Sequence, residues 1–281
     1  MVNLPDKQLP SSRARWDTSA GAYDRFERRW HYYGRVAEKL VRPLGIQRDS
    51  RVLELASGTG ACTLVLSGRC PEGELVCVER SPEMLRIAKR NLRNAGGNNI
   101  TFVGGDVVRL SGLVRGKFDF VVCNSAFWQF PELPMVLRAI RSVLKPGGTL
   151  AFNVPQWHST RRERQEYRKI VDKVLLRHKI DPLSFWTRRK PVDLPSLMKD
   201  CGFVLVRDTH YSVALRARER REWLRIPAFA GRLRPSSGIP SRVSAEIRRE
   251  LRERRRRPWP EGRVEKRKWR LIVARSPSRG S

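Results

Sequence analysis

Short apolar runs alternate with stretches of helical periodicity through the middle of the chain. Runs rich in aliphatic and aromatic residues predict strands at 51–56, 74–79, 100–103, 118–123 and 149–154. Between them, the spacing of apolar residues predicts helices at about 60–68, 82–95, 107–114 and 133–144. Strands of this kind, separated by helices, are typical of a parallel sheet buried on both faces. Residues 51–155 are therefore predicted to form an α/β core.

The regions on either side of this core show helical patterns. Apolar residues recur every three or four positions between 20 and 44, which predicts an N-terminal helical segment within residues 1–50. The first twenty residues are polar and are expected to fray. Helices predicted at 159–178 and 192–201 indicate a helical insertion, or lid, in residues 156–200. Residues 201–281 are expected to complete the sheet. Their predicted elements are strands at 203–207, with an extension to 213, and at 269–274, and a very basic helix at 241–257.

The chain is strongly basic. The 281 residues include 58 Lys and Arg against 28 Asp and Glu, a net charge of +30, and half of the excess lies in residues 211–281. Such a field attracts nucleic acid, anionic lipid or acidic small molecules, although a compositional bias toward arginine produces it without any partner. No apolar run is long enough for a signal peptide or a membrane span, so a cytoplasmic location is expected.

Cysteine usage narrows the chemistry. The five cysteines are odd in number and form no C-x-x-C pair, so neither a disulfide framework nor a zinc site is indicated. We expect buried, reduced thiols and no metal.

A glycine-rich turn follows the first predicted strand. The strand ends in Glu54-Leu-Ala-Ser-Gly-Thr-Gly60, and a helix follows directly. Such a turn needs glycine, because a Cβ atom would block positive φ or hold a ligand away from the backbone. The helix N-terminus behind the turn suits an anionic group. A dinucleotide fold would require G-x-G-x-x-G, but Thr63 stands at the third glycine. The acidic residue before the glycines therefore indicates a different cofactor.

The turn resembles the glycine motif of the class I S-adenosylmethionine-dependent methyltransferases, especially the small-molecule branch with the ubiquinone/menaquinone-type enzymes. The resemblance covers about residues 20–155, and Lys145-Pro-Gly-Gly148 is another familiar element. The family usually has glycine where this chain has Ala56, a departure that a small residue should tolerate. The resemblance implies a Rossmann-like α/β fold with a mostly parallel seven-stranded sheet. It also implies S-adenosylmethionine as the cofactor and S-adenosylhomocysteine as the product.

The resemblance further implies cofactor contacts at four successive strand ends, where open α/β sheets bind their ligands. Glu54 and the backbone of 56–60 would hold the methionine part, and Glu79 would accept bonds from both ribose hydroxyls. Asp106 would meet the adenine amino group, and Asn124 would lie beside the sulfonium. The full set of implied cofactor residues is Tyr23, Glu54, Ala56, Ser57, Gly58, Gly60, Glu79, Arg80, Met84, Asp106, Val107 and Asn124.

Methyl transfer from a sulfonium is an in-line displacement, for which a protein supplies alignment, desolvation and sometimes a base. The sulfonium loses its positive charge as its methyl group moves to a neutral or anionic acceptor. A mostly apolar pocket with aromatic walls therefore suits the reaction. The predicted acceptor contacts are Phe127, Trp128, Trp157 and His210. His158 follows the fifth strand and is the predicted base, because imidazole titrates near neutral pH. Tyr33 is the second predicted catalytic residue. A thiolate, carbanion or amine acceptor would need no base.

Two other functions stay open at this point. A nucleic-acid (RNA) methyltransferase would use the basic C-terminal region to contact phosphates. However, Asn124-Ser-Ala-Phe127 stands where amino-group nucleic-acid methylases carry Asn/Asp-Pro-Pro-aromatic, and Cys123 lacks the proline of the cytosine-C5 type. A non-catalytic binding module would keep the same fold without turnover. We expect a small-molecule acceptor, on which arginines of the insertion could recognise a carboxylate or phosphate.

Overall fold

The computed structural model describes residues 12–93, 99–156, 161–187, 192–230, 239–256 and 262–278. Seven strands lie in these residues: β1 (Arg51–Leu55), β2 (Glu74–Glu79), β3 (Ile100–Gly104), β4 (Phe118–Cys123), β5 (Leu144–Pro155), β6 (Val204–Arg216) and β7 (Val264–Arg275). They form one sheet in the order β3-β2-β1-β4-β5-β7-β6. The first five strands pair in parallel, and β7 runs antiparallel to both β5 and β6.

The helices cover both faces of the sheet and one of its edges. In chain order they are α1 (Ser12–Asp17), α2 (Ala20–Trp30), α3 (Tyr32–Val41), α4 (Ala61–Ser67), α5 (Pro82–Leu92), α6 (Leu110–Leu113), α7 (Leu133–Val143), α8 (Arg161–Arg177), α9 (Pro182–Thr187), α10 (Leu194–Asp200), α11 (Ala217–Trp223), α12 (Pro227–Ala230) and α13 (Ser241–Arg256). Short 3-10 turns lie at Arg42–Leu44, Val107–Arg109 and Phe127–Gln129.

Local sequence accounts for the strands and helices of the parallel half. Along β1, Leu53 points to one face of the sheet and Val52 to the other, and each joins a separate buried apolar cluster. Helix α5 begins at its capping residue, because the Ser81 hydroxyl accepts a hydrogen bond from the Met84 N–H at 3.2 Å and Pro82 occupies the first helical position. The predicted mostly parallel seven-stranded sheet of the Rossmann-like class is confirmed.

The last two strands extend beyond the others at the carboxyl edge of the sheet. Pro155, the last residue of β5, pairs with Trp269, which in turn pairs with Tyr211. Strand β6 continues to Arg216, so residues 212–216 and 264–268 project past that edge. We call this projection the overhang. It packs against α2, α3 and α11 through large apolar side chains.

The predicted boundaries at 156–200 and 201–281 stay predictions, and the packing of the helices crosses them. Helix α10 packs into the sheet core through Met198. Helix α13 instead packs against α8, where Val243, Ile247 and Leu251 meet the apolar stripe around Val174. The narrow apolar stripe of α13 needs a partner, and α8 supplies it. Helices α8, α9 and α13 thus share one apolar cluster.

Other differences lie near the ends of the chain. The predicted fraying is wrong for residues 12–17, which form α1, and the extension of the sixth strand reaches Arg216. Helices α9, α11 and α12 were not predicted. All five cysteines are buried and free, as predicted. None of the helices in the described part of the chain is both long and apolar enough to cross a bilayer.

Candidate active site

The glycine loop, residues 56–60, lies at the carboxyl end of β1. Three of its residues have left-handed backbone conformations: Ala56 at φ 55°, Gly58 at φ 58° and Gly60 at φ 94°. A Cβ atom at Gly58 would meet no other atom within 4 Å, so this position faces open space. Helix α4 begins directly after Gly60, and its first N–H groups point toward the loop. The loop therefore presents bare backbone and a positive helix end to the crevice.

Glu79 joins the ends of the first two strands. Its Oε2 accepts a hydrogen bond from the Gly58 N–H at 2.9 Å, and its Oε1 accepts one from the Ser81 N–H at 2.8 Å. Burial raises the pKa of Glu79, while the bonds from Ser81 and Gly58 act to lower it. Each carboxylate oxygen has a second lone pair, so the group can accept further hydrogen bonds. Glu79 thus lies at the carboxyl end of β2, and its predicted contact with the ribose hydroxyls stays a prediction.

Glu54 lies elsewhere than the resemblance implied. The Thr63 hydroxyl donates to its Oε2 at 2.6 Å, and the Cys77 thiol lies 3.4 Å from the same oxygen. The side chain is 1% exposed, and this burial raises its pKa to about 7. The carboxyl group therefore ties β1 to α4 and to β2 on the buried side. It does not line the crevice.

The ends of β2 and β3 are joined by an ion pair. Arg80 Nη1 donates to Asp106 Oδ2 at 3.0 Å, and the Val108 N–H donates to the other oxygen at 3.2 Å. Both side chains of the ion pair are partly exposed. Met84 and Val107 are buried, the former in a small cluster with Ala20 and Ile87. The predicted contacts of these residues with a cofactor stay predictions.

A partly buried amide network lies at the end of β4, and of its amide side chains only Asn124 was predicted from the sequence. Asn124 Nδ2 donates to the Tyr33 carbonyl at 3.3 Å, which ties the fourth strand end to α3. Asn153 on β5 donates to Asn124 Oδ1 at 2.8 Å and to the Tyr211 hydroxyl at 2.7 Å, and accepts from the Ser125 N–H at 2.6 Å. A lone asparagine inside an apolar strand was the available signal.

Helix α1 spans the crevice between two strand ends. On one side, the Ser81 hydroxyl donates to Asp17 Oδ1 at 2.5 Å, which fixes α1 to the start of α5. On the other side, Trp16 Nε1 donates to Gln129 Oε1 at 2.9 Å, in the turn that follows β4. These two bonds make α1 part of a cover over the crevice.

The cover has an aromatic interior. Tyr23 stacks on Tyr33 at a ring distance of 5.0 Å, and Trp16 lies edge-on to Tyr23 at 6.0 Å. Trp223 Nε1 donates to the Tyr33 hydroxyl at 3.0 Å, and Phe229 stacks on Trp223 at 4.4 Å. The resemblance singled out Tyr23 and Tyr33. The other three aromatics were missed: Trp16 and Trp223 lie in polar or basic segments, and Phe229 lies in an apolar stretch too short to show a period.

Phe127 belongs to the core. It is fully buried and stacks on Phe152 at 3.7 Å, because the 3-10 turn after β4 directs its ring back under the sheet. The structure therefore corrects its predicted place in the wall of the acceptor pocket. Trp128, the next residue, is half-buried.

Of the three remaining predicted site residues, only His210 lies in the described part of the chain, and it is not brought to the crevice. His210 is exposed on the edge strand β6, where its Nε2 lies 2.9 Å from Gln156 Nε2. Trp157 and His158 lie outside the described residues. The predicted roles of these three residues in acceptor binding and catalysis stay predictions.

Known structures define the class of fold. The YcgJ protein from Bacillus subtilis has a TM-score of 0.53 at 16% identity, over 88% of this chain and 99% of that one. A phosphoethanolamine N-methyltransferase from Haemonchus contortus, solved with phosphomonomethylethanolamine and S-adenosylhomocysteine, has a TM-score of 0.54 at 13% identity, over 98% and 62%. The [4+2]-cyclase SpnF has a TM-score of 0.53 at 16% identity, over 87% and 81%. At such identities the likeness shows the fold alone, which is the Rossmann-like class I methyltransferase fold.

Sequence comparison then gives the kind of domain. Residues 52–148 match the family described as "Methyltransferase domain". A demethylmenaquinone methyltransferase from Listeria welshimeri is 29% identical over 126 residues, which are 42% of this chain and 52% of that protein. A malonyl-[acyl-carrier protein] O-methyltransferase from Priestia megaterium is 26% identical over 156 residues, 54% and 52% respectively. The chain thus spans about half the length of these curated relatives. Residues 52–148 thus match a methyltransferase domain, and the chain has the class I methyltransferase fold.

Proposed function

We propose that this chain transfers a methyl group from S-adenosylmethionine to a small-molecule acceptor held under the aromatic cover. The observation that carries the proposal is the position of Glu79. Its carboxylate lies between the glycine loop and Ser81 and keeps acceptor capacity on both oxygens. A pair of vicinal hydroxyls, such as those of a ribose, matches a carboxylate held at a strand end.

The glycine loop also fits such a cofactor. The Ser57 hydroxyl is buried, and none of the described residues pairs with it. A buried hydroxyl without a partner costs about 1–3 kcal/mol, so a polar ligand group there would be stabilising. Gly58 leaves open space beside it. We assign Ser57, Gly58 and Glu79 to the cofactor, with Arg80 and Asp106 at the adenine side and Asn124 at the methionine side.

S-adenosylmethionine, when bound, supplies a methyl group activated by a sulfonium. The residues of this chain would hold and desolvate the reactants. Tyr23 and Tyr33 present aromatic faces, which attract a cation and accommodate an apolar acceptor. Trp223 fixes the Tyr33 hydroxyl, and we assign that hydroxyl to positioning the acceptor. His158 stays the predicted base. Exclusion of water by the cover strengthens these interactions.

The acceptor class rests on the curated relatives. Their names give different acceptors, demethylmenaquinone in one and a malonyl-carrier protein in the other. Both are organic acceptors and neither is a nucleic acid, which supports a small organic acceptor group for this chain. The cytoplasmic location stays part of the proposal.

Calorimetric titration with S-adenosylmethionine tests the cofactor assignment. Glu79→Gln keeps the shape of the side chain but removes the charge, so affinity should fall by about 10- to 100-fold, the equivalent of one or two charge-assisted hydrogen bonds. Glu74→Gln is the matched control, because Glu74 lies on the same strand at the opposite edge and pairs with Arg51. It should bind within about twofold of the wild type. A wild-type chain that does not bind the compound would overturn the proposal.

Transfer is tested separately, with cofactor carrying a radiolabelled methyl group. The wild-type chain is incubated with a fractionated cell extract, and the label should appear in low-mass material. Label found only in nucleic acid would exclude a small-molecule acceptor. If the chain binds the cofactor but transfers label to no fraction, the proposed methyl transfer is excluded and the chain is a non-catalytic binding module.

A further inference from the structure

The outer surface of the cover carries a group of arginines that the proposed function does not use. Helix α2 and the segment formed by α11 and the two residues after it each present three exposed arginines, one helical turn or less apart. We call these six residues the arginine face: Arg25, Arg28, Arg29, Arg218, Arg221 and Arg225.

The acidic residues of the same helices are turned inward or paired. Glu27 caps α3 by accepting from two backbone N–H groups, and Glu219 is 1% exposed and paired with Arg35. Asp24 is buried and pairs with Arg28 and with Arg90 of α5. Apart from Glu222, which pairs with Arg29, the anions of these helices thus lie inside and the cations outside. No carboxylate in the described part of the chain pairs with Arg25, Arg218, Arg221 or Arg225.

The two halves of the face adjoin each other. Glu222 of α11 accepts from Trp30 Nε1 at 2.7 Å and pairs with Arg29 at 3.0 Å, so the two helices meet along this line. Arg29 is 66% exposed in side-chain terms, which places the contact at the surface. The remaining arginines flank this contact on α2 and α11. The face is therefore one surface, on the side of the molecule that also holds the crevice.

The chemistry of the face favours one kind of partner. All six cations are arginines, whose planar guanidinium groups bind phosphate oxygens in pairs. Arg29 also lies over the half-buried Trp30 ring at 5.1 Å, and stacked guanidinium and indole groups are platforms for unpaired bases. A lipid surface would call for apolar side chains to insert, and no large apolar side chain on the described α2 or α11 is exposed.

We propose that the arginine face binds the sugar-phosphate backbone of a single-stranded nucleic acid. RNA and single-stranded DNA share the phosphates and unpaired bases that this chemistry recognises. The binding is independent of methyl transfer, because none of the six arginines belongs to the crevice.

Fluorescence anisotropy on the full-length chain tests the proposal. The probes are a single-stranded RNA of about 20 nucleotides, the DNA of the same sequence, and the corresponding duplex, at several salt concentrations. The triple variant Arg218→Glu/Arg221→Glu/Arg225→Glu should lose at least about 30-fold in affinity for both single strands. The salt slope of log Kd should fall by about 2, since each phosphate contact in a single strand contributes about 0.7.

The matched control changes the same amount of charge at the opposite edge of the sheet. Arg69, Arg115 and Arg275 are exposed there, and Arg275, the last residue of β7, pairs with Val204 at the start of β6. Their replacement by Glu should change affinity by less than about threefold. Equal losses in the two triple variants would show that only the net charge of the chain acts, and would overturn the proposal.

Further outcomes are equally decisive. Absence of binding to either single strand at about 100 mM salt would overturn the proposal, as would tighter binding to the duplex or to vesicles of phosphatidylglycerol. Binding of only one of the two single strands would identify the partner as RNA or as DNA, and would support the proposed role of the arginine face. Thermal melting and S-adenosylmethionine titration check that α11 stays folded. The milder Arg→Gln triple at the same positions replaces the first variant if α11 unfolds.

Discussion

The parallel half of the sheet and the cover are built in different ways. Strands β1 to β4 and their helices are adjacent in the chain, and the glycine loop and Glu79 come from neighbouring strand ends. The cover joins the two ends of the chain: the hydrogen bond from Trp223 to Tyr33 spans 190 residues, and that from Trp269 to Tyr32 spans 237. The proposed cofactor side is thus self-contained, whereas the proposed acceptor side is assembled from distant segments.

This difference suggests that the two functions can be separated by mutation. Changes in the glycine loop should act on cofactor affinity and leave the cover intact. Changes in the aromatic interior should act on stability and turnover and leave cofactor affinity nearly unchanged.

The largest expected effect is that of Gly58→Val. A branched side chain there would project into the open space beside the loop and would also meet left-handed strain at φ 58°. Affinity for S-adenosylmethionine, measured by calorimetry, should fall by at least about 100-fold, the equivalent of about 3 kcal/mol.

Gly45→Val is the control that separates the two effects of Gly58→Val, steric exclusion of the ligand and backbone strain. Gly45 has φ 67° and, like Gly58, no atom within 4 Å of an added Cβ, but it lies before β1 at the opposite edge. The two variants should lose similar stability, and Gly45→Val should keep the wild-type affinity. An equal loss of affinity in both would mean that the loop at Gly58 does not contact the cofactor.

The parallel half could be predicted from sequence because its signals are local. The apolar runs gave β2 and β4 with their correct bounds, and Ser81 with Pro82 marked the start of α5. Glu79 could be placed for the same reason, since a residue at the end of a strand must lie at the carboxyl edge. The side to which Glu54 points could not be predicted, because it depends on Thr63, nine residues away on α4.

The cover could not be predicted because its contacts are distant in sequence. Trp16 and Trp223 lie in polar or arginine-rich stretches, where periodicity gave no apolar face to assign. Their partners, Gln129 and Tyr33, lie more than 100 residues away. For the same reason, the sequence did not show that α13 packs against α8, the contact that explains the apolar stripe of α13.

Glu54 makes the parallel half sensitive to pH. Its folded-state pKa of about 7 exceeds the ordinary 4.5, so the folded chain keeps a proton that the unfolded chain releases. The resulting stability is fully present below pH 4.5 and is lost as the pH rises through 7. Between pH 5 and 7, the free energy of unfolding of the wild type should fall by about 2 kcal/mol relative to Glu54→Gln.

Urea unfolding at each pH measures this difference. Glu72→Gln is the control, because Glu72 is 61% exposed and pairs with Arg48 at the surface. Its pH dependence should match that of the wild type. Parallel curves for the wild type and Glu54→Gln would show that the Glu54 carboxyl group ionises normally.

The aromatic interior of the cover is tested by Tyr33→Phe. Loss of the hydroxyl leaves the buried Trp223 Nε1 without its acceptor, which should cost about 1–2 kcal/mol of stability. Turnover should fall as well, while affinity for S-adenosylmethionine stays within about threefold. Trp223→Phe removes the same bond but keeps the hydroxyl. It also leaves a cavity beside Phe229, so it should lose at least as much stability, with a smaller loss of kcat.

Tyr32→Phe controls for the removal of a neighbouring hydroxyl. Tyr32 also accepts from a tryptophan, Trp269, at the longer distance of 3.4 Å. The Tyr32→Phe variant should lose less stability than Tyr33→Phe and should keep the wild-type kcat. A kcat for Tyr33→Phe equal to that of Trp223→Phe would restrict Tyr33 to a structural role.

The smallest expected effect concerns Ala56, where the chain departs from the glycine motif. Its φ of 55° is left-handed, which costs about 1–2 kcal/mol for a residue with a Cβ atom, whereas glycine loses about 0.5–1 kcal/mol more chain entropy on folding. Ala56→Gly should therefore raise the free energy of unfolding by about 0.5–1 kcal/mol. Ala139→Gly, in the interior of α7, should lower it by about 1 kcal/mol. A loss of stability in both variants would mean that the loop is not strained at Ala56, and that the sequence tolerates alanine there because of contacts made by its methyl group.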